Sequence, residues 1–245
     1  MHSAEQFDAV MERIAAGMTD RAIAAETGVP RRTVYSWRNY PKPSSRSSLR
    51  NPCGTAHDFS TLPSGSYCYL LGLYLGDGCI SRMNRVWRLR IVLDAKYPGI
   101  IQQCRQAIDN VMPGQHAAAL SRSDNCVEVS LYSKHWICFF PQHGPGMKHQ
   151  RTIALAPWQQ ALVAQAPRDL IRGLIHSDGC RVIANDRGVA SIRYHFTNHS
   201  EDILRIFTDA LDQLAIPWTR PTRRMIAVYR KSATARLDEF IGPKE

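Results

Sequence analysis

The feature that most constrains this chain is that it matches itself. Residues 69–81 (YLLGLYLGDGCIS) match residues 169–181 (DLIRGLIHSDGCR), each an apolar run that ends in Asp-Gly. Three further blocks repeat in the same order. Residues 89–109 (LRIVLDAKYPGIIQQCRQAID) match 192–212 (IRYHFTNHSEDILRIFTDALD), 127–134 (VEVSLYSK) match 225–231 (MIAVYRK), and GPGMK ending at Lys148 matches GPK ending at Lys244. Four blocks in one order point to a duplicated unit. Its period, about 100 residues, is far longer than that of a solenoid and implies two similar subdomains facing each other. The periodicity within each copy predicts helix, two strands, helix, two strands, helix. The expected fold is therefore α+β, with two pseudosymmetric αββαββα halves over about 61–150 and 151–245.

The charge is the next constraint. The sequence carries 31 Lys and Arg against 21 Asp and Glu, a formal net charge of +10. A polyanion is the simplest partner for that excess, because each neutralised phosphate releases counterions. The seven cysteines (53, 68, 79, 104, 126, 138 and 180) form no CxxC pair and follow no signal peptide, so reduced, mostly buried thiols in a cytoplasmic protein are expected. Cys53 and His57 in NPCGTAH supply only two of the four ligands of a structural zinc and are read as linker residues, at most a degenerate metal knuckle. No apolar run is long enough to span a bilayer.

Ahead of the repeat, residues 1–40 read as a small all-α domain, joined by a Pro- and Ser-rich linker (41–60) to the core (61–245). Phe7, Val10, Met11, Ile14 and Ala15 share one helix face, and Gly17 stops it. From Asp20 onward, Ala24, Gly28, Val34 and Trp37 fall at the spacing of a helix-turn-helix, which this segment resembles. The small Ala24 admits a close crossing, Gly28 the left-handed turn, and Val34 and Trp37 lock the second helix inward. Arg31, Arg32, Thr33, Tyr35, Ser36 and Arg38 are then expected on the exposed side, where they suit phosphates and base edges.

The runs LLGLYLGDG (70–78) and IRGLIHSDG (171–179) resemble the paired motif of the two-motif, monomeric LAGLIDADG homing endonucleases, and the likeness extends over residues 67–244. It implies two helices packed side by side through Gly72, Gly76, Gly173 and Ser177, small residues that let backbones approach. Gly78 and Gly179 are expected to provide the turn that ends each helix. Asp77 and Asp178 would then converge on a scissile phosphate. Two such carboxylates repel unless divalent cations lie between them, and Mg²⁺ (or Mn²⁺) there would activate water and steady the leaving oxygen. The resemblance also implies catalytic lysines at Lys148 and Lys244, with Lys134 and Lys231 as the alternatives that the repeat pairing offers. Leu75 and His176 depart from the motif at the position of its first acid. Double-stranded DNA is the implied substrate, cut at a specific site. The alternative is a regulator that binds DNA without cutting it.

Strand alternation adds the reading surface. Arg85, Trp87 or Arg88, and Arg90 are expected to face DNA from the first half, and Arg193, His195 and Thr197 from the second. Arg220, Arg223, Arg224 and Arg230 supply a further basic patch.

Overall fold

A computed structural model describes residues 4–39, 52–186, 188–242 and 244. It contains two compact units, 1–56 and 57–245. Most of the Pro- and Ser-rich stretch, residues 40–51, lies outside the described residues.

In the first unit, α1 (Ala4–Ala15), α2 (Asp20–Thr27) and α3 (Arg31–Asn39) close around Val10, Ile23, Val29 and Val34, with Trp37 packed against them. Phe7 and Trp37 meet edge-on with ring centroids 4.8 Å apart. Thr19 caps α2 by accepting from the Ala22 N–H, and Gly28 follows at φ 66°, the left-handed conformation that ends the helix.

The second unit is the duplicated core. Its first half runs α4 (Ser64–Gly76), β1 (Gly78–Arg82), β2 (Trp87–Asp94), α5 (Pro98–Val111), β3 (Ala118–Ser121), β4 (Cys126–Ser133) and α6 (Trp136–Phe139). A helix the sequence reading did not anticipate, α7 (Pro157–Gln165), comes next. The second half is α8 (Pro167–Asp178), β5 (Gly179–Asp186), β6 (Val189–Thr197), α9 (Glu201–Gln213), β7 (Thr219–Thr222), β8 (Met225–Val228) and α10 (Lys231–Asp238). The two antiparallel sheets have matching orders, β1-β2-β4-β3 and β5-β6-β8-β7. Among the described residues no helix is long and apolar enough to cross a membrane.

Each sheet buries one face. Leu89, Ile91, Leu93, Val129 and Leu131 point inward, where Ile100, Cys104, Ala107, Ile108 and Val111 of α5 are also buried. Tyr194 and Phe196 do the same in the second half, with the Phe196 ring tilted against Phe207 of α9 at 4.4 Å between centroids. The alternation leaves Cys79, Ser81, Arg88, Arg90, Glu128, Ser130 and Tyr132 on the opposite face of the first sheet.

Pairing corrects one alignment. Gly78 pairs with Ile91, but Gly179 pairs with Phe196, because the β5–β6 hairpin is the longer. Arg88 and Arg90 therefore correspond in space to Arg193 and His195, two residues displaced from the match between 89–109 and 192–212. Trp87 falls on the inward phase and meets His143 at 5.2 Å between ring centroids, so Arg88 is the outward residue of that pair.

Candidate active site

The site begins with α4, whose residues Tyr67 to Leu75 are all buried, a helix apolar on every side and hence central. Its partner along the whole interface is α8. The small residues explain how closely they pack. A Cβ built on Gly72 would lie 2.6 Å from the Leu170 carbonyl oxygen, and one on Gly173 only 2.2 Å from that of Tyr69. Near the C-terminal ends, a Cβ on Gly76 would lie 2.2 Å from Ser177 Oγ and 3.2 Å from Asp178 Cγ. The last turn of one helix thus abuts the carboxylate that ends the other.

Gly78 and Gly179 serve a different purpose from the one expected. Neither adopts positive φ. A Cβ on Gly78 would lie 2.5 Å from Tyr74 Cα, and one on Gly179 would lie 2.7 Å from Ile175 Cα. Each glycine is there so that the outgoing strand can pass tight against its own helix.

Asp77 is exposed to solvent although protein crowds around its carboxylate, and Asp178 is half-buried. Burial, then repulsion from Asp178, raises the Asp77 carboxyl to about 6, against the pull of Lys148 and Lys244. Burial raises Asp178 as well, opposed first by a hydrogen bond from Asn198 Nδ2 at 2.6 Å. Neither acid forms an ion pair with an arginine among the described residues.

The two predicted lysines each reach the C-terminal end of one of these helices. Lys148 Nζ donates to the carbonyls of Tyr74, Leu75 (3.0 Å) and Gly76 (2.8 Å), the unsatisfied C-terminal end of α4. Lys244 Nζ donates to His176 O at 3.1 Å and Gly179 O at 2.6 Å at the end of α8. Burial lowers Lys148 to about 8 and lowers Lys244 too. Arg151 shapes the loop that delivers Lys148, donating to Gln142 O at 3.1 Å and Gly146 O at 2.7 Å. Lys134 and Lys231 stay exposed in the structure and make no such bonds.

A cleft of about 430 Å³ opens here, lined among others by Gly76, Cys79, Lys148, His149, Asp178, Asn198 and His199. Cys79 and Cys180 are exposed at matching positions beside it, and only Cys68, Cys104 and Cys138 are buried, so the thiols are less sequestered than expected. His176 is a core residue, not part of the cleft. It meets the Tyr69 hydroxyl at 2.9 Å and lies 3.3 Å from Ile241 O, and burial holds its pKa down at about 4.

Asn198 was missed in the sequence. Its only signal was its position, two residues before the Ser200 cap of α9 at the mouth of β6.

Of the residues expected to face DNA, Arg88, Arg90, Arg193, His195 and Thr197 share the outward phase of their sheets, and Arg85 sits exposed in the β1–β2 turn. Arg223, Arg224 and Arg230 are exposed, whereas Arg220 is clamped to Glu201 by two bonds at 2.7 and 2.6 Å. In the helical unit Arg31, Arg32, Tyr35 and Ser36 are exposed and Thr33 is half-buried. Arg38 turns back to Asp20 (2.7 Å) and Met18 O (2.6 Å), so it holds α3 to α2 and is not displayed outward as expected.

Comparison with known proteins gives the following. A model of the homeodomain-like domain matches residues 9–42. Among curated proteins none matches the sequence. Solved structures similar to the chain include mesophilic variants of the homing endonuclease I-DmoI, at 15% identity over 73% of this chain and 95% of that one, with a TM-score of 0.47. Another is the LAGLIDADG meganuclease I-AabMI bound to uncleaved DNA, at 14% identity over 73% and 85%, TM-score 0.44. A third is the homing endonuclease I-WcaI bound to its DNA recognition sequence, at 11% identity over 75% and 83%, TM-score 0.47.

Proposed function

We propose that this chain is a sequence-specific DNA endonuclease that hydrolyses both strands of a duplex with a divalent cation. One observation carries the reading: two acids with no arginine partner among the described residues end abutting helices, a half-buried lysine bonds the end of each helix, and Lys148 and Asp178 line an adjoining cleft. Simple core helices ending in solvated Asp-Gly turns would have no need of a lysine driven into each C-terminus.

The donor set suits Mg²⁺ or Mn²⁺. Asp77 and Asp178 offer hard oxygen ligands, and their mutual repulsion is what a bound dication relieves. A cation held there supplies charge neutralisation at the phosphate and a water made more acidic. The chain's own residues do the rest. Asn198 fixes the orientation of the Asp178 carboxylate. Lys148, whose donors are taken up by α4 carbonyls, acts as a fixed positive charge beside the acids and the incoming phosphate. Lys244 fills that part for α8. Both halves of the site come from one chain, so a monomer suffices. Arg88, Arg90, Arg193, His195, Arg223, Arg224 and Arg230 bind the duplex flanking the cut. Arg31, Arg32, Tyr35 and Ser36 of the helix-turn-helix supply a separate contact.

A non-cleaving regulator on this fold is the less favoured reading, since no arginine among the described residues pairs with the acids. The deciding test is incubation of a randomised duplex library with the protein and Mg²⁺, with Ca²⁺ as the binding-only control, and sequencing of cut ends. Defined ends in Mg²⁺ alone support the enzyme; enrichment of a bound sequence with no cut ends in Mg²⁺ or Mn²⁺ supports the regulator.

A further inference from the structure

The outward faces of the two sheets differ in one respect that duplication does not explain. In the first sheet, Glu128 sits on the outward phase of β4, beside Val92. The matching place in the second sheet, opposite Thr197, is Met225. Glu128 is nonetheless buried, at 8% exposure. It is covered by arginines lying over it, not by the core.

Arg88 Nη2 donates to Glu128 Oε1 at 2.5 Å and to Ser130 Oγ at 3.0 Å, and its guanidinium lies 5.2 Å from the Tyr132 ring centroid. Arg90 Nη1 lies 3.8 Å and Arg122 Nη1 3.7 Å from Glu128 Oε2. Arg90 Nη2 donates in addition to Ser81 Oγ at 3.0 Å and Cys79 Sγ at 3.2 Å. One carboxylate therefore gathers three guanidinium groups.

An arginine free to swing contacts phosphate wherever it finds it. One held at both ends presents its remaining N–H groups in a fixed direction, which suits base edges and loses less conformational entropy on binding. A buried glutamate on such a surface also removes positive charge that would otherwise attract any duplex.

We propose that Glu128 is a specificity-determining residue of the first half: it holds Arg88 and Arg90 for base-edge contacts and restrains indiscriminate phosphate binding. The inference rests on the DNA-binding reading above, and concerns selectivity rather than cutting. It makes two observables move in opposite senses. Loss of Glu128 weakens sequence discrimination while strengthening binding to arbitrary DNA, whereas mere damage to the fold would weaken both.

The test is a binding selection on the full chain with a randomised duplex library in Ca²⁺, for wild type and for Glu128→Gln, which keeps shape and removes charge. Competition of the enriched sequence against random duplex then gives the selectivity ratio across a salt series. The expected result is a selectivity ratio lower by about tenfold. Affinity for random duplex should rise, with a salt dependence steeper by up to about one unit of slope. The lost information should lie at base positions in one half-site only. A variant with wild-type selectivity and salt slope overturns the inference while leaving DNA binding intact. A wild type that enriches no sequence overturns the DNA reading and the inference together. Should Glu128→Gln unfold, Ser130→Ala withdraws the second acceptor of Arg88, and a smaller loss at the same positions supports the same conclusion. No loss there overturns it.

Discussion

Gly173→Ala tests the geometry on which the acid pair depends. The added Cβ would lie 2.2 Å from Tyr69 O, 3.1 Å from Gly72 Cα and 3.1 Å from Leu73 N, all backbone atoms of α4. A carbon–oxygen contact settles at about 3.3 Å, so the helices must separate by roughly 1 Å at the crossing. Sliding does not relieve this, because Gly72 is also tight against α8, where a Cβ would lie 2.6 Å from Leu170 O. Overpacking of this kind costs about 1–3 kcal/mol, and a backbone-to-backbone clash belongs at the upper end. The better helix propensity of Ala offsets about 1 kcal/mol. A net loss of about 1–2 kcal/mol in a unit of this size lowers Tm by roughly 2–8 °C. The assay is calorimetric unfolding of the full chain in EDTA and again in Ca²⁺. Stabilisation by Ca²⁺ should also shrink, since the helix ends that carry the acids are pushed apart. Gly76→Ala is the comparator. Its clash is with Ser177 Oγ, a side chain able to rotate, so it should cost less. A Gly173→Ala variant as stable as wild type, or less affected than Gly76→Ala, would refute the close-crossing argument.

Other outcomes follow from the site. Asp77→Asn and Asp178→Asn should each abolish cutting in Mg²⁺ while binding is kept or tightened, read by gel shift and strand-cleavage assays on the selected duplex. Because the Asp77 carboxyl is raised to about 6 in the folded state, its ionisation opposes folding above that pH. In EDTA, Asp77→Asn should therefore be the more stable form at pH 7.5, and its advantage should vanish as the pH falls through about 6 toward 4, measured by Tm across that series. Asn198→Ala should raise the Asp178 carboxyl further and weaken Ca²⁺ binding, measured by calorimetric titration, with little change in Tm because the bond lies at the cleft edge. Removal of residues 1–56 should leave the core's unfolding transition in place while lowering DNA affinity and flattening its salt dependence.

Much of the architecture could be read in the chain because duplication writes the same pattern twice. The apolar run 67–75 had to be a buried helix, its small residues had to face a neighbour, and the second copy named that neighbour. Lys148 and Lys244 stood out through the family resemblance, while the repeat alone also paired Lys134 with Lys231. In the helical unit, Thr19, Gly28 and Val34 follow local rules that hold without tertiary context. What the linear pattern could not give is set by how separate segments meet. The β5–β6 hairpin is longer, so the register that makes His195 the counterpart of Arg90 appears only through the ladders. Gly78 and Gly179 looked like turn residues, but an approach of strand to helix, invisible in sequence, is what excludes a side chain there. Arg38 and Arg220 looked like free cations until Asp20 and Glu201, distant in sequence, were placed against them. The lysines were legible as residues, but not their work: only tertiary structure turns each ammonium onto the carbonyls of a helix end, where burial lowers its pKa and its charge bears on both acids.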